Sequence, residues 1–221
     1  MALGGGNFVT QNKKLPGSYI NFISRNAASS TVSDRGVAAI GVKLDWCVDN
    51  DVFKVTAADF QKNALKLFGY EYTHEKLKGL RDLFINAHTA FCYKVNSAAT
   101  GKATNTFATA LYSGARGNDL KIVIAANADN ADLWDVKTLL GTVKVDEQTV
   151  AAAANLKDNA YVTFKTDATL AATAGTALTG GVTADETVAG HQAFLEKAEA
   201  YSFNAIGAVS DERESEATAI N

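Results

Sequence analysis

The apolar positions of this chain change period several times along its length, and each change marks a predicted element. Val37-Ala-Ala-Ile40, Val42 and Leu44 form a near-continuous apolar run that ends at Asp45-Trp46, the pattern of a mostly buried strand running into a loop. Lys54-Val-Thr56 is a brief extended piece. Thr56 followed by Asp59 is a threonine cap related to the capping box, which predicts a helix to about Phe68, stopped by Gly69. The strongest helical stripe comes next: Leu77, Leu80, Leu83, Phe84 and Ala87 recur at spacings of three and four, with Lys78, Arg81, Asp82 and Asn86 opposite and Thr73 as the expected cap. Phe91-Cys-Tyr-Lys-Val-Asn96 returns to a strand pattern, so residues 32–96 read as the start of an α/β layer.

After Asn96 the texture turns to Ala, Thr, Gly and Asn with strand-like alternation. Phe107 to Tyr112, Leu120 to Ala125, Trp134 to Leu139 and Tyr161 to Phe164 are separated by turn clusters, which suits a compact antiparallel β unit. From Asp167 to Gly190, Ala, Thr and Gly fill 17 of the 24 positions, a composition for thin ribbon or loop rather than core. A helical face made by Val188, Phe194, Leu195, Ala198 and Tyr201 comes next, then a strand from Phe203 to Val209. The closing acidic stretch from Asp211 reads as the first turns of another helix, so the domain is expected to continue past Asn221. Residues 1–31 hold the only proline, Pro16, the run Gly4-Gly5-Gly6 and two short extended pieces, too little to fold alone. The predicted class is mixed α+β and α/β. A partial α/β core domain (32–96 and 184–221) is interrupted by an inserted antiparallel β-rich domain, sandwich- or barrel-like (97–183), and preceded by an extended N-terminal arm and linker (1–31).

Composition narrows the function. At 221 residues and 47% hydrophobic the chain can bury a core without disulfides or metals, and 20% charged residues with one proline argue against disorder. A net charge of −3 offers no footprint for a nucleic acid. No stretch approaches the ~20 apolar residues of a membrane span, and the first residues lack a basic and then apolar leader, so no membrane insertion or export signal is expected. Two cysteines, Cys47 and Cys92, read as free thiols in a reducing compartment. Charge placement says more than charge total: residues 1–44 carry +4 and residues 171–221 carry −6, an asymmetry suited to head-to-tail association of copies.

Familiar chemistry is missing. The chain has no nucleophile elbow, P-loop or dinucleotide fingerprint. His88 and Cys92 stand four apart, but Cys47, His74 and His191 lie at no recognisable ligand spacing, so a half-buried His and a core Cys are expected, with no metal. Asp45, Asp49 and Asp51 lack the glycine and glutamate of a calcium loop and are expected in a solvated turn. Gly114-Ala-Arg-Gly-Asn-Asp119 is expected to be a structural bend closed by an Asx turn, with Arg116 lacking a convergent partner. Trp46 and Trp134 are expected as core or edge anchors. No catalytic residue and no cofactor are assigned.

The segment Gly5-Gly-Asn-Phe-Val-Thr-Gln-Asn-Lys-Lys-Leu-Pro-Gly-Ser-Tyr-Ile-Asn-Phe22, with Ser30-Thr-Val-Ser-Asp-Arg-Gly36 and Leu44-Asp-Trp46, resembles contractile-tail sheath proteins of phages and defective prophages of Gram-positive bacteria. Tyr112 to Asp119, Leu133 to Thr138, Tyr161 to Phe164, Leu178 to Gly181 and Ala200 to Asn204 extend the resemblance in the family's order. It implies a non-enzymatic subunit that polymerises helically around a tail tube protein, meets baseplate and tail terminator proteins, and contracts. The location implied is a virion tail or phage-tail-like particle, assembled in the host cytoplasm. The family's N-terminal arm lends a strand to a neighbouring subunit, and its members run well beyond residue 221. Carried over, the arm residues are Phe8, Val9, Thr10, Tyr19, Ile20 and Phe22, a composition suited to strand addition. A hinge is placed at Asn26, Ser29 and Ser30. Two other readings stay open: an α/β enzyme or nucleotide-binding protein whose catalytic half lies past residue 221, and a β-rich surface-binding module with Tyr112, Trp134 and Tyr161 as its candidate exposed aromatics.

Overall fold

The computed structural model describes residues 36–97 and 100–209. The arm residues Phe8, Val9, Thr10, Tyr19, Ile20 and Phe22 and the hinge residues Asn26, Ser29 and Ser30 lie outside the described residues.

The first unit is a four-stranded sheet with helices on both faces. Strands β1 (Val37–Val42), β2 (Phe53–Thr56), β3 (Thr89–Lys94) and β10 (Ala205–Val209) are arranged in the order β10-β1-β3-β2. β1 runs parallel to both β3 and β10, whereas β2 is antiparallel to β3. Because side chains alternate across a strand, Ile40, Val42, Ala90 and Cys92 face helices α1 (Ala57–Phe68) and α2 (Lys78–Asn86), meeting Phe60, Phe68, Leu77 and Leu80. Ala39, Tyr93 and Val95 face α3 (Val188–Ala198) through Phe194 and Ala198. Burial on both faces explains the unbroken apolar run of β1.

Local signals set the helix ends. Thr56 Oγ1 accepts from the Asp59 N–H at 3.1 Å, and Gly69 closes α1 with φ 74°, a left-handed cap that glycine adopts without strain. α2 departs from expectation. Thr73 is not its cap; His74 Nδ1 accepts from the Lys76 N–H at 3.2 Å and opens a 3-10 turn, Glu75–Leu77, that leads into the helix. An imidazole nitrogen one residue later lies nearer the unsatisfied N–H groups.

The second unit is all β. Strands β5 (Leu120–Ala126), β6 (Trp134–Leu140), β7 (Val143–Val150) and β9 (Thr173–Ala177) form an antiparallel sheet in the order β7-β6-β5-β9, and β4 (Ala108–Ala110) pairs with β8 (Val162–Phe164). Leu120, Ile122, Ile124, Val136 and Leu140 point inward against Val162, Phe164 and Leu178. β7 is absent from the strands read from the sequence. It is an edge strand carrying Lys144, Asp146 and Glu147, so apolar alternation hardly marks it. Gly101 and Val182 exchange backbone hydrogen bonds at 3.2 Å, pairing the chain where it enters and leaves this unit.

Candidate functional site at the junction of the two units

The loop after β1 brings the units together. Trp46 leaves the α/β layer and is buried in the core of the β unit, its ring 5.3 Å from Tyr112 and 6.2 Å from Tyr161. Leu65 of α1 packs against the same core. The fit is close at two glycines. A Cβ on Gly69 would lie 2.8 Å from that of Trp46, and a Cβ on Gly114, which has φ 125°, would overlap the Asp45 carbonyl. The first holds the Trp46 loop against the end of α1, and the second presses a loop of the β unit against the loop after β1.

Charged side chains tie the seam at three places, around Lys94, Asp45 and Arg116. Lys94, at the end of β3, has a fully buried side chain; its ammonium donates to Asp49 Oδ1 at 2.9 Å, to the Ser113 carbonyl at 2.7 Å and to Ser113 Oγ at 3.0 Å. Asp49 also accepts from the Ser113 N–H at 2.9 Å and from its hydroxyl. Burial would raise the Asp49 carboxyl, but the bonds from Ser113 and Lys94 outweigh it and hold it below the ordinary value.

Asp45 accepts from the Tyr70 hydroxyl at 2.6 Å and from Lys76 Nζ at 2.7 Å. Its burial, too, is outweighed by these two donors, so its carboxyl is held low, while burial and the neighbouring carboxylate push the Tyr70 phenol up to about 12. Arg116 reaches across from the β unit, donating to the Gly69 carbonyl at 2.7 Å and to Asp119 at 2.7 Å, with its guanidinium 4.6 Å from the Tyr70 ring centre. Asn96 donates to the carbonyls of Leu44 and Ala184 at 3.1 and 3.0 Å, joining the two crossings between units.

Several sequence expectations are corrected. Asp45 and Asp49 do not sit in a solvated turn: each is drawn into the seam by a lysine, and of the three only Asp51 keeps a largely exposed side chain. The loop from Gly114 is a 3-10 turn, Ala115–Asp119, rather than an Asx-closed bend, because Asn118 is turned to the backbone of Gly181 at 2.8 Å. Arg116 has convergent partners, which folding supplies from α1's end. Tyr161 is not an exposed aromatic but is buried against Trp46. Trp134 packs on the rim of the β core and Trp46 within it, as anchors.

Cys92 is buried on the α1–α2 side of the sheet, and His88 Nδ1 lies 2.7 Å from Thr89 Oγ1. Burial pushes the Cys47 thiol up to about 12 and raises Cys92 as well, so neither is a ready thiolate. Among the described residues no group of three or more His, Cys, Asp or Glu is placed to hold a metal, and no helix is long and apolar enough to cross a membrane. Lys94 and Ser113 are absent from the candidates that the sequence suggests. The available signal is a lysine within the otherwise apolar β3.

Residues 96–185 match the phage tail sheath protein beta-sandwich domain. The chain is 32% identical over 226 residues to an uncharacterized Bacillus subtilis protein, YqbK, covering 92% of this chain and 48% of that one. It is 32% identical over 190 residues to the phage-like element PBSX protein XkdK of the same organism, covering 84% and 40%. The crystal structure of the sheath tail protein from Desulfitobacterium hafniense superposes with a TM-score of 0.73 at 29% identity, over 91% of this chain and 48% of that one. The corresponding protein from Listeria innocua gives 0.71 at 30% identity, over 84% and 43%. The chain spans about half the length of these relatives, or less. Agreement of the β-sandwich match, the prophage-like relative and the shared fold leads to one assignment: residues 96–185 belong with the phage tail sheath beta-sandwich domains, and the chain as a whole is phage tail sheath-like.

Proposed function

We propose that this chain is the N-terminal portion of a structural, non-enzymatic subunit of a contractile tail sheath, which polymerises around a tail tube and contracts to drive the tube through a target envelope. The observation that carries the reading is an α/β sheet whose edge strands, β2 and β10, each pair on one side only among the described residues, joined by a charged seam to the unit that matches the sheath β-sandwich. Open edges suit strand addition, in which backbone hydrogen bonds supply affinity. In this reading Phe8, Val9, Thr10, Tyr19, Ile20 and Phe22 form the donated arm of a neighbouring copy, and Asn26, Ser29 and Ser30 its hinge. Repeated donation without closure generates a helical lattice. Residues 97–183 form a domain inserted in a core made of 32–96 and 184–221, and the seam makes the two move as one body during contraction. Tail tube, baseplate and terminator proteins are the partners, in a virion tail or phage-tail-like particle assembled in the host cytoplasm.

Negative-stain microscopy with sedimentation, applied to this chain and to a version extended to the family's length, tests the proposal. Tubes or stacked rings from the longer protein, lost on deleting residues 1–31, are the expected result. Monodisperse monomers from both would overturn it.

A further inference from the structure

Helix α3 covers only part of its face of the sheet. Phe194 lies over β1 and β3: its ring stands 6.0 Å from that of Tyr93, and its Cδ1 3.3 Å from where a Cβ on Gly41 would lie. Lys197 leans toward the β2 side, reaching Asp51 at 3.9 Å in the loop that leads into that strand. At about 100° per residue, Val188 and Leu195 project from the opposite flank of the helix, the one nearer β10. They are 42% and 47% exposed. In the β1–β10 register Ile206 pairs with Ala39, which faces α3, so Ile206 and Ala208 point to that same side of the sheet. Ile206 is 47% exposed, and Ala208 is exposed as well. Among the described residues, then, an apolar corner stands open, with the flank of α3 as its wall and the face of β10 as its floor.

The spacing of this corner suits a helix. Neighbouring strands lie about 4.8 Å apart, so a helix laid over β10 and its outer edge stands about 8–10 Å from the α3 axis, the ordinary distance between packed helices. The rim selects the charge. Glu196 and Glu199 are exposed at the end of α3, where the helix dipole favours cations over acids. Neither makes an ion pair among the described residues, and Lys197, the basic residue of that turn, is turned away to Asp51. We propose, independently of the sheath reading, that this corner docks an amphipathic helix of a partner protein, its apolar stripe on Val188, Leu195 and Ile206 and its flanking lysines or arginines against Glu196 and Glu199. Burial of the aliphatic side chains supplies the attraction. The two acids set orientation and reject acidic partners.

The test uses the whole 221-residue chain and two fluorescein-labelled helical peptides of about 18 residues. Both carry the same leucine stripe, flanked by lysines in one and by glutamates in the other. Fluorescence anisotropy at about 150 mM salt is expected to show the lysine peptide binding about tenfold tighter or more. Leu195→Asn/Ile206→Asn should weaken that binding about tenfold. Glu196→Gln/Glu199→Gln should bring the two peptides within about threefold of each other. Ile85→Asn, at the most exposed aliphatic side chain of α2 on the other face of the sheet, should change neither. Far-ultraviolet circular dichroism verifies that each variant is folded. Equal binding of the two peptides by the parent chain overturns the proposal, as does a lysine peptide that binds the parent no better than Leu195→Asn/Ile206→Asn. So does a dimer of the parent chain in sedimentation that the same double variant dissolves, which would make a second copy the occupant of the corner.

Discussion

Replacing Lys94 by Met keeps the buried stem and removes the charge at the centre of the seam. The cost comes from the groups left behind. The Ser113 carbonyl loses its 2.7 Å donor, and Asp49, with 18% of its side chain exposed, loses the ammonium at 2.9 Å while keeping the N–H and hydroxyl of Ser113. An orphaned buried acceptor costs about 1–3 kcal/mol, and breaking a buried ion pair by removing one member costs about 3–5 kcal/mol. Because Asp49 retains two donors and some water, the expected loss lies near the lower bound, about 3 kcal/mol. Asp49→Asn should cost more, since its partner is the fully buried member and is left with neutral acceptors only, the Ser113 oxygens and the new amide oxygen. Urea unfolding of the whole chain, followed by far-UV circular dichroism and Trp fluorescence, measures both variants and the double mutant. The pair should show a coupling of at least about 1.5 kcal/mol, well outside the ~0.5 kcal/mol of independent sites. A Lys94→Met variant within about 1 kcal/mol of the parent, or simple additivity in the cycle, would falsify the claim that this ion pair anchors the Ser113 loop of the β unit at the seam.

Gly114→Ala combines a φ of 125° with overlap on the Asp45 carbonyl, whereas Gly141→Ala, at φ 64°, meets nothing within 4 Å. The first should destabilise by about 3 kcal/mol or more and the second by about 1 kcal/mol, read from urea midpoints; similar losses would refute the close seam. Trp46→Ala should cost about 3–5 kcal/mol and remove the near-ultraviolet dichroism of the Trp46–Tyr112–Tyr161 cluster, and a loss under about 1 kcal/mol would mean the ring is not anchored there. Asp45 and Asp49 are held below the ordinary carboxylate value when folded, so the folded state releases their protons more readily than the unfolded chain does. Their stabilisation is present above about pH 4 and is lost as pH falls through the folded values. The urea midpoint should drop on acidification below about pH 4, less steeply in the Asp45→Asn/Asp49→Asn variant; parallel profiles would rule these two groups out.

Much of the fold was legible before any tertiary contact was known, because its determinants are local. Thr56 with Asp59 and Gly69 bracket α1, and the apolar period separates β1 and β3 from the helices between them. The same alternation marks β5 and β6, whose inward residues form the second core. β7 was missed because an edge strand faces water on much of its surface and its charges break the alternation. The seam was not legible at all. Asp49 meets Lys94 and Ser113 at separations of 45 and 64 residues, and Arg116 meets Gly69 at 47. Asp49, Ser113 and Arg116, taken in sequence, read as loop residues, and Lys94 shows only as a lysine inside an apolar strand. Periodicity and capping are properties of adjacent residues and so are written in the chain itself, whereas the burial of a charge depends on which distant groups fold onto it, and that is decided only when the β unit closes on the α/β layer.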